Sequence, residues 1–223
     1  MKIRAIVTGV TGMVGEGVLH ECLQHPDVEH VLILTRRPSG VSHPKVVEIV
    51  HPDFHDITPI AGKLTNYNAC FFCLGVTSIG KNEAQYTKLT YDLTLHVAKK
   101  LAAGNPGMTF CYISGAGTDS TEKGKVMWAR VKGKTENDLL KLPFKQAYMF
   151  RPGLIQATPG LKNTLQLYKY FSWMVPLLKT FFPSGIVSLK EIGQAMINVV
   201  QKSYKKPVLE IKDIKTLARD KQL

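Results

Sequence analysis

The sequence predicts an α/β fold, a mainly parallel sheet flanked by helices on both faces, within one domain over residues 1–223. Three observations predict it. Short apolar runs alternate with longer segments of helical periodicity, as parallel strands buried on both faces require. The first of these runs ends in glycines that open directly into an amphipathic helix. The chain, at 223 residues of which 44% are hydrophobic, is long enough to bury a full core.

The elements follow in order. Ile3-Arg4-Ala5-Ile6-Val7-Thr8 reads as the first strand. From Met13 to His25, Val14, Val18, Leu19, Cys22 and Leu23 recur at helical spacing, and Pro26 follows the stop. Val31–Thr35, Val46–Val50 and Ala69–Leu74 are the next three strands. Residues 82–103 read as one long helix, ended by Gly104-Asn105-Pro106-Gly107. Thr109–Ser114 is a fifth strand, followed by a glycine-rich loop and a helix from about Lys125 to Leu142. Gln146–Phe150 is a sixth strand. A helix over 189–203 and a strand Val208–Ile211 close the chain. From about residue 155 to 223 the chain changes character. Within this part, 161–182 is rich in aromatics (Tyr168, Tyr170, Phe171, Trp173, Phe181, Phe182) and interrupted by Pro176. Lys169 and Lys179 break that stretch, so it is no clean membrane span. A pocket cover or plain core packing is the expectation, with an interfacial helix at a membrane or a dimer contact as the alternatives.

The net charge of +12 narrows the partners. Basic residues are scattered in groups such as Lys123, Lys125, Arg130, Lys132, Lys134 and Lys202, Lys205, Lys206, Lys212, Lys215, with no aromatic-interleaved or helix-turn-helix pattern. This points away from nucleic acid and toward a solvated surface plus a phosphate-attracting site. Four cysteines, at 22, 70, 73 and 111, are too few for a disulfide framework. Cys70 and Cys73 have the spacing of redox or zinc pairs, but residues three apart on a strand face opposite ways. His51, Asp53, His55 and Asp56 flank Pro52 with no further ligands nearby, so no metal is expected. The opening apolar run is too short for a signal-peptide core, and the expected location is the cytoplasm.

The segment Thr8-Gly9-Val10-Thr11-Gly12-Met13-Val14-Gly15 carries the chemistry. The turn must be tight, the backbone must approach a pyrophosphate closely, and the helix must pack on the strand. Free N–H groups at the helix start then face the phosphates. The implied fold is the Rossmann type, doubly wound, with Gly9, Thr11, Gly12, Met13 and Val14 in contact with a dinucleotide. At the end of the second strand, an NAD site places Asp or Glu on the ribose. Here stand Arg36 and Arg37, with no acid until Glu48. Guanidinium groups bind a 2′-phosphate through charge-assisted hydrogen bonds, so the expected cofactor is NADP(H). Asp53 is placed to meet the adenine edge, and Leu74, Gly75 and Val76 to run along the ribose and pyrophosphate.

These motifs, with Tyr112-Ile113-Ser114-Gly115-Ala116-Gly117, Val131-Lys132-Gly133-Lys134 and Phe150-Arg151-Pro152-Gly153, resemble the atypical or extended short-chain dehydrogenase/reductase superfamily. The likeness is to NAD-dependent-epimerase-like proteins that include the Tat-interactive-protein-type oxidoreductases and the NmrA-like group. The resemblance implies a seven-stranded parallel sheet, an NADPH site across the strand ends, and a small, variable part over about 155–223 that shapes the substrate pocket. It also implies backbone contacts from Pro152 and Gly153 to the nicotinamide amide, where a simple turn is the other reading. In that superfamily a Ser or Thr after the fifth strand works with a Tyr-x-x-x-Lys pair. Ser114 and Lys132 match the serine and the lysine, and both also fall in the cofactor site.

The tyrosine position holds Trp128. An indole N–H only donates and exchanges no proton near neutral pH. Three readings stay open: another group such as Tyr91, Ser114 or a relayed water supplies the proton; hydride transfer alone is needed; or the protein binds NADPH without turnover. The expectation is an NADPH-dependent reductase of a small, partly apolar carbonyl. The alternative is a non-catalytic, NADPH-binding regulator or redox sensor that contacts a protein partner.

Overall fold

The computed structural model describes residues 1–163 and 185–219. Parallel strands carry the chain: β1 (Ile3–Thr8), β2 (Val28–Thr35), β3 (Val46–Val50), β4 (Ala69–Phe72), β5 (Thr109–Ile113), β6 (Gln146–Arg151) and β9 (Val208–Glu210) form one seven-stranded sheet. Its order is β3-β2-β1-β4-β5-β6-β9, with every neighbouring pair parallel. This is the Rossmann-type α/β arrangement expected from the alternation of runs. All four residues of β4 and four of the five in β5 are buried, which is why they read as unbroken apolar stretches.

Helices cover both faces. α1 (Met13–Gln24) and α5 (Leu189–Lys202) pack on one side, where Val18, Leu19, Phe71, Ile192 and Met196 share a core. α3 (Leu93–Gly104) and α4 (Met127–Leu139) pack on the other, over Leu95, Leu101, Phe110, Tyr112 and Leu139. Cys70 belongs to this second core and Cys73 packs against the first, as the strand period requires. Burial pushes both thiols up, Cys73 to about 12, so neither is a ready thiolate.

The helix expected over 82–103 is present but not uniform. α2 (Glu83–Thr87) starts at a capping box between Asn82 and Gln85, and a π-helical turn, Lys88–Asp92, joins it to α3. α5 opens on a second capping box, Ser188 with Glu191. Two features differ from the sequence expectation. Strands β7 (Leu154–Gln156) and β8 (Ile186–Ser188) pair in parallel as a separate ribbon. The chain after β9 continues as α6 (Ile211–Arg219), whose Ile214 and Leu217 are buried. The aromatic segment 161–182 lies almost wholly outside the described residues. No helix among the described residues is long and apolar enough to cross a membrane.

Candidate active site

The strand order reverses direction beside β1, whose neighbours are β2 and β4. Loops leaving β1 and β4 must diverge there, and the resulting crevice is where open parallel sheets bind ligands. The Cys73 N–H donates to Thr8 Oγ1 at 3.1 Å, tying the two strand ends together. Gly9 sits at φ +71°, and a Cβ on it would lie 2.6 Å from the Cys73 carbonyl oxygen. A Cβ on Gly15 would lie 2.2 Å from the Gly9 carbonyl oxygen. Both positions therefore demand glycine for backbone to pass backbone.

Gly12 is the N-cap of α1 and supplies no side-chain cap to the first-turn N–H groups. Its own missing Cβ would meet nothing nearer than the Gly9 oxygen, at 3.4 Å. The helix start is thus an uncapped, open cradle of donors, which fits an anionic pyrophosphate. A cleft of about 660 Å³ extends from it, lined by Gly9, Thr11, Thr35, Arg36, Arg37, Pro38, Pro52 and Leu74. Both arginines are exposed there. The Thr35 hydroxyl donates to the Arg37 carbonyl at 2.9 Å and fixes the turn that presents them. Glu48 is held elsewhere, its carboxylate accepting from the Ser39 N–H at 2.9 Å. Among the described residues, no carboxylate lines the cleft.

Gly9, Thr11, Arg36, Arg37 and Leu74 therefore share one cleft, with Gly12, Met13 and Val14 at its helix start. Gly75 and Val76 follow Leu74 as exposed loop. Asp53 is exposed beside Pro52, with its carboxylate accepting from the His55 N–H at 2.8 Å. His51 bonds the Asp56 carbonyl at 2.7 Å, and no group of three metal-ligating residues forms among the described residues. Thr35, Pro38 and Pro52 were not singled out by sequence. Their signal was only adjacency to the strand end and to Asp53.

The second half of the site lies at the ends of β5 and β6. Lys132, on α4, donates its ammonium to the backbone carbonyl of Ser114. The Ser114 hydroxyl turns inward and donates to the Phe150 carbonyl at 3.0 Å, and the Ser114 N–H meets that oxygen at 2.8 Å. Trp128 stands one turn before Lys132, its indole 3.7–3.9 Å from where Cβ atoms would sit on Gly115 and Gly117. It packs against the loop, of which Ala116 and Gly117 stay exposed. Desolvation brings the Lys132 amine down to about 8, against a smaller upward pull from Glu136. Glu136 is buried in an ion pair with Arg151, which also bonds Glu210 at 3.2 Å and Ser120 at 2.6 Å. The Pro152 carbonyl accepts from the Ala116 N–H at 2.8 Å, so it is engaged within the protein. A Cβ on Gly153 would lie 2.6 Å from the Gly185 oxygen, which gives that glycine a packing role.

Tyr91 lies apart from this group. Its hydroxyl donates to Asp138 at 2.7 Å, and Lys134 sits 4.8 Å over its ring. Lys134 and Lys132 are two residues apart on α4 and so project from opposite sides of it.

The family model described as NAD dependent epimerase/dehydratase family matches residues 5–118. Protein FMP52-1, mitochondrial, of Scheffersomyces stipitis is 27% identical over 224 residues, covering 96% of each chain. Protein fmp52, mitochondrial, of Emericella nidulans is 34% identical over 155 residues, 66% of this chain and 64% of the relative. Among solved structures, a UDP-N-acetylglucosamine 4-epimerase from Methanobrevibacter ruminantium superposes with TM-score 0.67 at 15% identity, over 94% of this chain and 76% of that one. The Bordetella bronchiseptica enzyme WbmH, in complex with NAD+, gives TM-score 0.67 at 12% identity, over 96% and 79%. These structures share the fold. The relatives' mitochondrial names overturn the cytoplasmic location expected from the short opening run. The apolar opening run is buried as β1, and burial in a sheet carries no address. With its uncapped glycine cradle at the β1–β4 crevice, the chain belongs to the NAD dependent epimerase/dehydratase family and has its dinucleotide-binding fold.

Proposed function

We propose that the chain binds NADPH in the β1–β4 cleft and reduces a small, partly apolar carbonyl compound. One observation carries the cofactor choice: Arg36 and Arg37 line a cleft to which no described residue brings a carboxylate. A 2′-phosphate gains charge-assisted hydrogen bonds there, whereas a bare ribose hydroxyl finds no carboxylate among the described residues that line the cleft. When bound, the dinucleotide supplies the hydride. The chain's own groups hold it and define the space beyond: the cradle at Gly12 takes the pyrophosphate, and Lys132 beside Ser114 stands where the strand ends meet the reacting centre. The test is a fluorescence titration with NADPH and NADH, followed by NADPH oxidation against a panel of aldehydes and ketones. Tighter NADPH binding and consumption of at least one carbonyl support the reading. Equal affinities sink the cofactor choice, and no oxidation sinks the reductase.

A second reading, a non-catalytic NADPH-binding regulator that contacts a protein partner, is favoured by Trp128, whose indole packs against Gly115 and Gly117 and can exchange no proton near neutral pH. Replacing it, Trp128→Tyr, separates the two. A gain in carbonyl turnover supports the reductase, and unchanged zero turnover with cofactor bound supports the regulator.

A further inference from the structure

The cofactor cleft lies where parallel strands end. A second cleft, of about 450 Å³, lies where two of them begin. The chain from the end of α4 to the start of β6 forms one wall, and the turn between α5 and β9 forms the other. Such a volume is in the range that holds a small organic molecule.

The lining is apolar and already in place. Leu140, Leu142, Phe144, Ala147 and Pro207 contribute to it, and Leu140 stays 37% exposed. Phe144 stacks on Phe110 of the core, with ring centroids 4.8 Å apart, which fixes the first wall. The Tyr204 N–H donates to the Tyr148 hydroxyl at 2.7 Å, which fixes the second.

The charge on the cleft is positive. Lys145 and Lys205 both line it, and neither has an acidic partner among the described residues. The acids nearby are engaged: Asp213 with Lys206 at 3.1 Å, and Asp138 with Lys141 at 2.7 Å. The C-terminal ends of α4 and α5 bring about half a negative charge each, less than the two ammonium groups. An apolar wall beside two unpaired ammonium groups matches one ligand chemistry. A neutral apolar molecule leaves the lysines unused, and a bare anion gains only solvent-screened ion pairs.

We propose that this cleft is a binding site for an amphipathic carboxylate, a short apolar chain that ends in one carboxyl group. Lys145 and Lys205 attract the carboxylate, and Leu142, Phe144 and Pro207 take the chain. The proposal does not rest on the reductase reading, because the cofactor residues stand at the other end of the strands.

The test is a titration of the isotope-labelled, full-length chain with octanoate, below its micelle concentration, followed by two-dimensional NMR. Saturable shifts centred on Leu140, Leu142, Ala147 and Lys205 are expected. Octanol should bind about tenfold more weakly or worse, since it has no charge for the lysines. Acetate, which has no chain, should not saturate. Shifts centred elsewhere, no saturation, or octanol binding as well as octanoate each overturn the proposal. So do shifts at these residues that grow with protein concentration alone, which would give the cleft to a second copy of the chain. Lys145→Glu with Lys205→Glu should raise the Kd for octanoate about tenfold or more and leave NADPH binding within about twofold. Unchanged octanoate binding overturns the role of the lysines, and a matching loss of NADPH affinity overturns the separation of the two clefts. Both lysines are exposed, and the wild-type map of shifts stands without the variant.

Discussion

Lys132 and Ser114 meet through the serine's backbone carbonyl and not through its hydroxyl. The lysine therefore depends on the course of β5 rather than on the serine side chain. Ser114→Ala should keep the lysine in place and lose only the bond to Phe150. A net cost of about 1 kcal/mol is expected, read as a lower denaturant midpoint, with NADPH affinity unchanged. A large loss of cofactor binding would show that the hydroxyl turns outward in solution.

Arg36→Ala with Arg37→Ala should abolish preference for NADPH over NADH. Charge-assisted hydrogen bonds contribute roughly 1.5–3 kcal/mol, or about a 10- to 150-fold change in Kd for NADPH. NADH binding should barely move. Parallel weakening of both cofactors would mean that the arginines hold the loop and not the phosphate.

The buried pair Glu136–Arg151 has side chains that are 1% and 11% exposed. Glu136→Gln leaves the arginine short of its main partner inside the protein, and a loss of roughly 3–5 kcal/mol is expected. Because Glu136 pulls the Lys132 value upward, the same variant should shift the lysine further down. Lysine-resolved labelling of any folded fraction reads that shift.

The Lys132 value is lowered on folding, from 10.5 to about 8. Below about 8 both folded and unfolded chains hold the proton, and the folded state carries the full penalty of a desolvated ammonium. Between the two values the unfolded chain binds more protons, so this group's contribution to stability rises with pH. Lys132→Met should therefore raise Tm most at neutral pH, with the advantage shrinking toward pH 10.5. A pH-independent difference would contradict the shift.

Gly133→Ala tests the packing of the loop after β5. A Cβ there would lie 1.8 Å from the Asp119 carbonyl oxygen. Backbone must move apart, so α4 and the loop should separate and Lys132 should lose its register. The expected result is a much lower Tm, together with loss of cofactor binding in whatever folds.

Much of the site was legible because local chemistry dictates it. The Gly9–Gly15 spacing and the buried runs of β1, β2, β4 and β5 are encoded within a few residues of chain, and Arg36-Arg37 reach the cleft through their place at the end of β2. Capping boxes at Asn82 and Ser188 likewise mark helix starts locally. The β7–β8 pairing was not legible, since it joins residues about thirty apart and each strand is three residues long. The helix α6 carried a signal in Ile211, Ile214 and Leu217, whose period of three was masked by the strand-like Val208–Ile211 run.

By itself the sequence determined that a dinucleotide loop opens the chain, that an arginine pair ends the second strand, and that an indole stands where a phenol belongs. These are properties of residue type at a spacing. Only the tertiary structure decided what each proton-bearing group faces. It turned the Ser114 hydroxyl into the sheet, placed Tyr91 behind α4, and left Lys132 desolvated at the end of β5. Hydrogen-bond partners come from strands and helices far apart in the chain, and burial sets an amine's proton affinity only once those elements have packed.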